Sequence, residues 1–162
     1  MTAVWLGLAL AAAAAVQSPA GGSATLDPIA FFTGRSEGEG TVDTLLGKPV
    51  KLLVTSVGEK QGDTLILDQT IRQGAKPPRV RRWIMRPVAP GRFTGTLTDA
   101  EGPVNVTVAG PRASIRYRMR GGLDVDQQLT LQTDGKTLLN RLHVRKFGVR
   151  VAVVGETIRK LD

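Results

Sequence analysis

The single histidine of the 162-residue chain is the first candidate for acid–base chemistry. His143 lies in the stretch NRLHVRKFG, with Arg141 and Arg145 two residues away on either side. Histidine is the commonest general base near neutral pH, but two neighbouring cations disfavour its protonated form. A protein metal site needs several ligands, and the sequence has no cysteine and no second histidine. The sequence therefore predicts a surface histidine, with no metal and no cofactor.

Serine nucleophiles and paired acids are the remaining catalytic candidates. Ser36 is the central residue of GRSEG, but no predicted helix follows it, so none of the serines lies in the strand-to-helix elbow that a G-x-S-x-G nucleophile requires. Glu37 and Glu39 in SEGEG, like Asp124 and Asp126 in DVD, share one strand face, a spacing that is frequent on solvated faces. We therefore expect no enzyme. An enzyme that acts on lipid-like substrates through an acid such as Asp68 or Asp126 is the least favoured hypothesis.

A second group of polar residues falls on strand faces that are otherwise apolar. Gln69, Gln127 and Asn140 alternate with apolar residues, so a barrel would bury them, and each buried amide needs a partner. In RVRRWIMR, Arg81 shares a face with Trp83. An inward arginine without an acid is costly, and a bound carboxylate or phosphate would satisfy it. The alternative is an arginine at a barrel mouth that extends to water.

Strands must position these residues, because the chain after its N-terminal stretch alternates apolar and polar residues between frequent Gly and Pro. Ten strands are predicted, at residues 36–45, 50–58, 64–73, 79–87, 92–98, 104–109, 113–120, 125–133, 137–145 and 149–160. Short loops favour an antiparallel meander that closes into a barrel, and a two-sheet sandwich is the alternative. In a barrel, Trp83, Phe93 and Tyr117 are expected to line the apolar part of a ligand site.

The N-terminal stretch has the composition of an export signal. Residues 2–16 read TAVWLGLALAAAAAV, which is uncharged and too short to span a bilayer, and Ser18 and Ala20 supply a small-x-small cleavage pattern. We predict a signal peptide at 1–20, a linker at 21–30 and a single β-barrel domain at 31–162. A buried or membrane-anchoring N-terminal helix is the alternative. The predicted location is periplasmic or secreted, without a lipid-attachment cysteine.

The net charge of +8 comes mainly from arginines and predicts attraction to polyanions. Alternation places two groups of arginines on outward faces, namely Arg116, Arg118 and Arg120 in SIRYRMR, and Arg141 and Arg145 around His143. For an exported protein, the polyanions are anionic membrane lipids or lipopolysaccharide. Aromatic residues are too few and scattered for a base-stacking platform, so we expect no nucleic-acid partner. A solvated basic face without a partner is the alternative.

Several stretches of residues 31–160 together form a recognisable pattern, namely FFTG, GEGTVD, GDTLILDQTI, RRW, RFTG, IRYRM and LLNRLHVRKFGVRVAVVGETIRK. This pattern resembles DUF3833, a family of bacterial envelope proteins of unknown function. The resemblance implies a lipocalin-like barrel and an envelope location. It also implies a lipid ligand, because members tend to be encoded near enzymes that modify fatty acids and membrane lipids.

This chain departs from the DUF3833 pattern in three places. Members usually carry a lipidated cysteine after the leader, which is absent here. They tend to carry an acid at the position of Gln69, and an aspartate-tryptophan motif where this chain has VDQQLTL. The missing acid would be the natural counter-charge for Arg81, so its replacement favours a bound anion.

The sequence thus predicts an all-β fold, an antiparallel meander of about ten strands closed into a lipocalin/calycin-like barrel. The favoured function is non-enzymatic binding of a fatty acid, a phospholipid or another amphipathic anion inside the barrel. The residues predicted to contact it are Arg81, Trp83, Gln69, Tyr117, Gln127, Asn140 and Phe93. The second hypothesis is a filled barrel that docks on anionic envelope surfaces through its outward arginines. Neither hypothesis fixes the oligomeric state.

Overall fold

The computed structural model describes residues 24–162, so the predicted signal peptide lies outside the described part of the chain. A short helix is followed by ten strands. The helix is α1 (Pro28–Phe32), and the strands are β1 (Gly34–Thr44), β2 (Val50–Gln61), β3 (Thr64–Gln73), β4 (Arg79–Ala89), β5 (Arg92–Leu97), β6 (Ala100–Ala109), β7 (Arg112–Met119), β8 (Leu123–Leu131), β9 (Thr137–Lys146) and β10 (Val149–Lys160).

The ten strands form one closed antiparallel barrel. Each strand pairs with the next along the chain, and β1 pairs with β10, where Val42 lies opposite Val154. Closure leaves no strand of this sheet at an edge. The predicted closed meander is therefore confirmed, and the two-sheet sandwich is excluded.

Alternation along each strand decides which side chains fill the barrel. In β7, Ile115 and Tyr117 are buried, whereas Arg116 and Arg118 are exposed. A strand turns successive side chains to opposite faces, so the interior receives every second residue. The predicted inward positions of β3 and β8 that are buried in the same way are Leu65, Leu67, Gln69, Ile71, Val125, Gln127 and Leu129.

The largest difference from the predicted strands is at the start of β6. The sequence predicts a turn from Ala100 to Pro103, but these residues already belong to the strand. The ladder to β7 shifts register between Glu101 and Asn105, and Gly102 has a φ angle of 78°. Such a β-bulge accommodates glycine and proline because its residues leave the regular hydrogen-bond ladder.

Helix α1 closes one end of the barrel, which we call the floor. Asp27 caps the helix by accepting backbone N–H hydrogen bonds in its first turn. Leu26, Ile29 and Phe32 are buried in the barrel core. Lys160 at the end of β10 donates from Nζ to carbonyl oxygens at the end of α1. The helix is therefore fixed to the barrel by packing and by a charged hydrogen-bond donor.

Two expectations from the sequence are corrected by this floor. The predicted linker, residues 21–30, includes Leu26 and Ile29, which are core residues of the barrel domain. The sequence also indicated no helix after the N-terminal stretch, because a five-residue helix is too short to show a periodic apolar stripe. Residues 24–162 contain no helix that combines the length and hydropathy needed to cross a membrane.

The opposite end of the barrel, which we call the mouth, is the looser half. Its connections are residues 45–49, 74–78, 98–99, 120–122 and 147–148. Toward the floor, Leu65 and Leu138 are fully buried, whereas Leu142, Val144 and Val154 toward the mouth are only half-buried although they point inward. The barrel is therefore filled near the floor and hollow near the mouth.

Candidate functional site

Two cavities lie inside the barrel and share one polar layer. The lower cavity, of about 50 Å³, is bounded by Phe32 on the floor side and by Trp83. The upper cavity, of about 170 Å³, is lined mainly by apolar side chains toward the mouth. Arg81, Asn140 and Glu156 line both cavities. These three side chains therefore form the boundary between a tight apolar pocket and a wider one near the mouth.

Strands β3 and β4 supply the basic half of the layer. Gln69 lies opposite Arg81 in the ladder, and alternation turns both side chains inward. Gln69 Oε1 accepts hydrogen bonds from Arg81 Nε at 2.9 Å and from Trp83 Nε1 at 2.8 Å. Its Nε2 donates to Ser56 Oγ at 3.1 Å. Gln69 therefore contacts Arg81 through a neutral amide, which supplies no negative charge.

Aromatic rings complete the surroundings of this arginine. The Arg81 guanidinium carbon lies 5.4 Å from the centroid of the Trp83 ring, within range of a cation–π interaction. Tyr117 packs edge-on against Trp83, with ring centroids 5.6 Å apart. The rings hold the guanidinium in place, but they supply no negative charge.

Strands β8, β9 and β10 supply the acidic half of the layer. Gln127 Nε2 donates to Asn140 Oδ1 at 3.0 Å, and Asn140 Nδ2 donates to Glu156 Oε2 at 2.8 Å. A Cβ atom on Gly38 of β1 would lie 1.8 Å from Glu156 Oε1, so the glycine makes room for the carboxylate. Gln127 Oε1 is buried and accepts no hydrogen bond. The acidic half therefore contains one buried acceptor that has no hydrogen bond.

The two halves do not neutralise each other through an ion pair. The ion pairs among residues 24–162, defined by N–O distances up to 4.0 Å, include neither Arg81 nor Glu156. Burial raises the pKa of Glu156, although the hydrogen bond from Asn140 and the charge of Arg81 lower it. Burial also lowers the pKa of Arg81 and raises the pKa of Tyr117. Burial therefore disfavours the charged forms of Glu156, Arg81 and Tyr117.

Most of the predicted ligand contacts come together around the cavities, and one does not. Gln69, Arg81, Trp83, Gln127 and Asn140 line the lower cavity, and Tyr117 lines the upper one. Phe93 packs against the barrel core but lines neither cavity, and it borders a depression at the floor end together with Pro87 and Val88, so its ligand contact stays a prediction. Phe93 lies close to the floor turn, at the start of the short strand β5. Its side chain is therefore nearer the floor than the two cavities are.

The sequence interpretation missed Glu156. The alternation of β10 contained the signal, since Val154, Glu156 and Ile158 share one face and the two apolar members line the interior. Among residues 24–162, Glu156 is the one carboxylate that lines either interior cavity.

The outward arginines form a mixed surface of both charges. Arg116 Nε lies 3.8 Å from Asp126 Oδ1, and Arg118 Nε lies 3.7 Å from Asp124 Oδ1. Arg145 pairs with Asp124 in the β8–β9 ladder. Arg141 and Arg120 are exposed, and Arg120 lies in a mouth loop, beyond the end of β7. Acids of β8 therefore neutralise part of the predicted basic wall.

The acids and the histidine considered for catalysis lie on the outer wall. Asp68 accepts two hydrogen bonds of 2.7 Å from Arg82, and this contact lowers the pKa of Asp68. His143 lies opposite Asp126 in the ladder, a neighbour that depends on the β8–β9 register and is not visible in local sequence. Within residues 24–162, no three or more His, Asp or Glu side chains are grouped so that they could hold a metal ion.

Solved structures with the same fold support the barrel assignment. Rv2717c from M. tuberculosis superposes with a TM-score of 0.62 at 17% identity, over 85% of this chain and 99% of that one. The S-type phycobiliprotein lyase CPES from Guillardia theta gives 0.63 at 2% identity, over 83% and 91%. A DUF3598 protein of unknown function from Nostoc punctiforme gives 0.62 at 13% identity, over 90% and 53%. At these identities the similarity shows a shared fold.

Sequence comparison identifies the family. No curated protein matches the chain. The model of DUF3833, described as a protein of unknown function, matches residues 6–160 and so covers nearly the whole sequence. The chain therefore belongs to the DUF3833 family.

Proposed function

We propose that this protein is a non-enzymatic binding protein of the bacterial cell envelope, and that its barrel holds a lipid-like anion such as a fatty acid or a phospholipid. Arg81 binds the negatively charged group, and the apolar wall of the upper cavity contacts the attached chain. The envelope location rests on the export-signal composition of residues 1–20.

The unneutralised Arg81 is the observation that carries this proposal. Its guanidinium is turned into the barrel, donates to the neutral Gln69, and forms no ion pair. A desolvated cation without a directly paired carboxylate is costly, and a bound carboxylate or phosphate offsets that cost with charge-assisted hydrogen bonds.

The cavity sizes favour a ligand that is only partly enclosed. Drug-sized ligands fill pockets of about 300–1,000 Å³, whereas the upper cavity measures about 170 Å³. An anion at Arg81 therefore directs its chain along Leu142, Val144 and Val154 toward the mouth. These side chains are half-buried in the described structure, so a chain placed there covers apolar surface that is now accessible to water.

A binding role fits the site better than a catalytic one. One of the structurally similar proteins is named as a lyase, so this fold is compatible with enzymes as well as with carriers. Here Asp68 and Asp126 lie on the outer wall next to arginines. Glu156 is the acid that faces the cavities, and no activated nucleophile accompanies it. We infer that Glu156 tunes binding.

Native mass spectrometry of the full-length protein, purified from a bacterial host, tests the proposal. The wild type is expected to carry a co-purified acyl anion, and Arg81→Gln is expected to lose it. Arg82→Gln is the matched control, because Arg82 is the next residue of the same strand and points outward to Asp68. It is expected to retain the ligand.

An empty wild-type protein that also fails to bind added fatty acid or phospholipid would overturn the proposal. Equal loading of the wild type and Arg81→Gln would show that any bound lipid occupies another site. In either case the account would shift to the second hypothesis, a structural barrel that acts through its outer arginines.

A further inference from the structure

We propose that the mouth of the barrel docks on anionic lipid bilayers, with exposed apolar side chains at two neighbouring hairpins inserted among the lipids and surrounding cations held at the headgroups. This site differs from the outer arginine wall that the sequence suggested. It also does not depend on what occupies the interior.

The apolar side chains at the mouth are unusually exposed. Leu46 is 102% exposed and Phe147 is 91% exposed, and Leu45 and Val149 are also largely accessible. They belong to the β1–β2 and β9–β10 connections, which are adjacent because β1 pairs with β10. A hydrogen bond from Leu45 N to the carbonyl of Val151 joins the two hairpins. The exposed side chains thus lie on two adjacent hairpins, and exposed apolar side chains grouped in this way mark interaction sites.

The backbone at Phe147 is a second observation that favours a role for this side chain. Phe147 has a φ of 51°, the one positive φ of a non-glycine residue in the described chain, and Gly148 follows with 78°. A two-residue hairpin turn with both φ angles positive favours Asn-Gly. Phenylalanine accepts backbone strain there and gains little packing, since its ring is almost fully exposed and has Lys146 Nζ at 5.8 Å from its centroid. Insertion into an apolar phase gives the ring the contacts that it lacks.

Charge identifies the partner as an anionic surface. The cations at the mouth are Lys48, Lys76, Arg120, Lys146 and Arg150. Among the acids there, Asp99 is bound by Arg79 at 2.9 Å, and Asp43, Glu101 and Asp124 lie near strand ends. The floor turns and terminus carry Asp27, Asp63, Asp134 and Asp162 beside Lys136, and the strand ends there carry Arg92, Arg112 and Lys160. Both ends are therefore mixed in charge, and the mouth combines loops of net positive charge with exposed apolar side chains.

A second copy of this chain is a poor partner for the two hairpins. Pairing two mouths would bring the same cations of each copy together, and like charges oppose that contact. An anionic bilayer instead attracts the cations and offers an apolar layer just beneath the headgroups. In this orientation the upper cavity opens onto the membrane. Lipid binding in the interior would then proceed without passage through water.

Vesicle flotation of the full-length protein tests the docking surface. The probes are phosphatidylcholine vesicles with and without about one fifth phosphatidylglycerol. The test variant combines Leu46→Ser with Phe147→Asn, and the asparagine suits the positive φ of the turn, so the fold is retained. The matched control combines Val57→Thr with Leu139→Thr, two exposed positions on the barrel wall away from the mouth.

Wild type and control are expected to float with the anionic vesicles. The mouth variant should bind them at least about tenfold more weakly, because it loses two large apolar contacts. Raising the salt concentration should weaken wild-type binding. Arg81→Gln should bind vesicles like the wild type, which separates failure of this inference from failure of the proposed interior site.

Equal flotation of the mouth variant and the wild type would overturn the inference. So would a loss of binding in Arg141→Gln/Arg145→Gln with the mouth variant unaffected, since that result assigns the contact to the outer wall. Sedimentation that shows a wild-type dimer, dispersed by the mouth substitutions in the absence of vesicles, would identify the two hairpins as a self-association surface instead.

Discussion

Arg81 and Glu156 line the same two cavities without forming an ion pair. Each is held by an amide, Arg81 by Gln69 and Glu156 by Asn140. The amides keep the two charges apart, and an anion bound to Arg81 would therefore share the polar layer with the Glu156 carboxylate. This arrangement makes the protonation of Glu156 a determinant of anion affinity.

Affinity for an anion is expected to rise as the pH falls. Ionised Glu156 repels a bound anion, and burial already raises the pKa of Glu156 from its ordinary value. Binding therefore takes up a proton, and affinity increases as the pH drops through the raised pKa. Calorimetric titration with an alkyl sulfonate, whose headgroup stays ionised throughout, measures this effect.

The variant Glu156→Gln removes the titrating group but can still accept the hydrogen bond from Asn140. Its affinity should be nearly independent of pH in the acidic range and should match that of the wild type with Glu156 protonated. A pH dependence that persists unchanged in Glu156→Gln would show that another group controls binding. Glu37→Gln, an outward acid of β1, serves as the control and should behave like the wild type.

Because α1 packs closely on β2, alanine substitutions at two glycines of the barrel should differ strongly in their effect on the free energy of unfolding. A Cβ atom on Gly58 would lie 1.8 Å from the carbonyl oxygen of Phe32, and backbone atoms cannot yield as a flexible side chain does. Gly58→Ala should therefore lower the free energy of unfolding by about 1–3 kcal/mol or more. Urea denaturation provides the measurement.

Gly155→Ala is the matched control in the same barrel. Gly155 has no positive φ and no atom within 4 Å of an added Cβ, so alanine should be neutral or stabilise by up to about 1 kcal/mol. If both substitutions destabilise the protein equally, the close packing of α1 on β2 is not the cause.

Lys160 is expected to hold helix α1 in place at the floor of the barrel. Its Nζ donates to the carbonyl oxygens of Ala30, Phe31 and Thr33, which end α1. Lys160→Met leaves these acceptors without their charged donor, and we expect a loss of about 1–3 kcal/mol in the free energy of unfolding. In Lys160→Met, amide hydrogen exchange should be faster than in the wild type, and the increase should be larger in residues 28–33 than in the rest of the barrel.

Lys60→Met is the control for this prediction, since Lys60 is an exposed lysine that also lies at the floor, near the end of β2. It should leave both the unfolding free energy and the exchange rates nearly unchanged. Slower or unaltered exchange of α1 in Lys160→Met would contradict the assigned role.

The barrel was predictable because its strands alternate regularly, whereas the floor was not. In SIRYRMR the inward Ile115 and Tyr117 are separated by arginines, so both strand and face follow from local sequence. Helix α1 has five residues and is fixed by Asp27 and by the distant Lys160. Contacts so far apart in the chain leave no local pattern.

The site was predictable in part for the same reason. The amides Gln69, Gln127 and Asn140 interrupt apolar faces and are therefore visible in the sequence. Phe93 appeared equivalent to Trp83 because alternation gives the face of a residue but not its depth along the barrel axis. The approach of Gly38 to Glu156 depends on the closing β1–β10 pair, and closure is a property of the whole chain.

The most direct test of the interior anion site is calorimetric titration of an alkyl sulfonate into the wild type, Arg81→Gln and Arg82→Gln at neutral pH. The account predicts similar affinities for the wild type and Arg82→Gln. It predicts a loss of about tenfold or more in Arg81→Gln, because charge-assisted hydrogen bonds contribute about 1.5–3 kcal/mol. Equal affinity in the three proteins, or no binding to the wild type, would contradict the account.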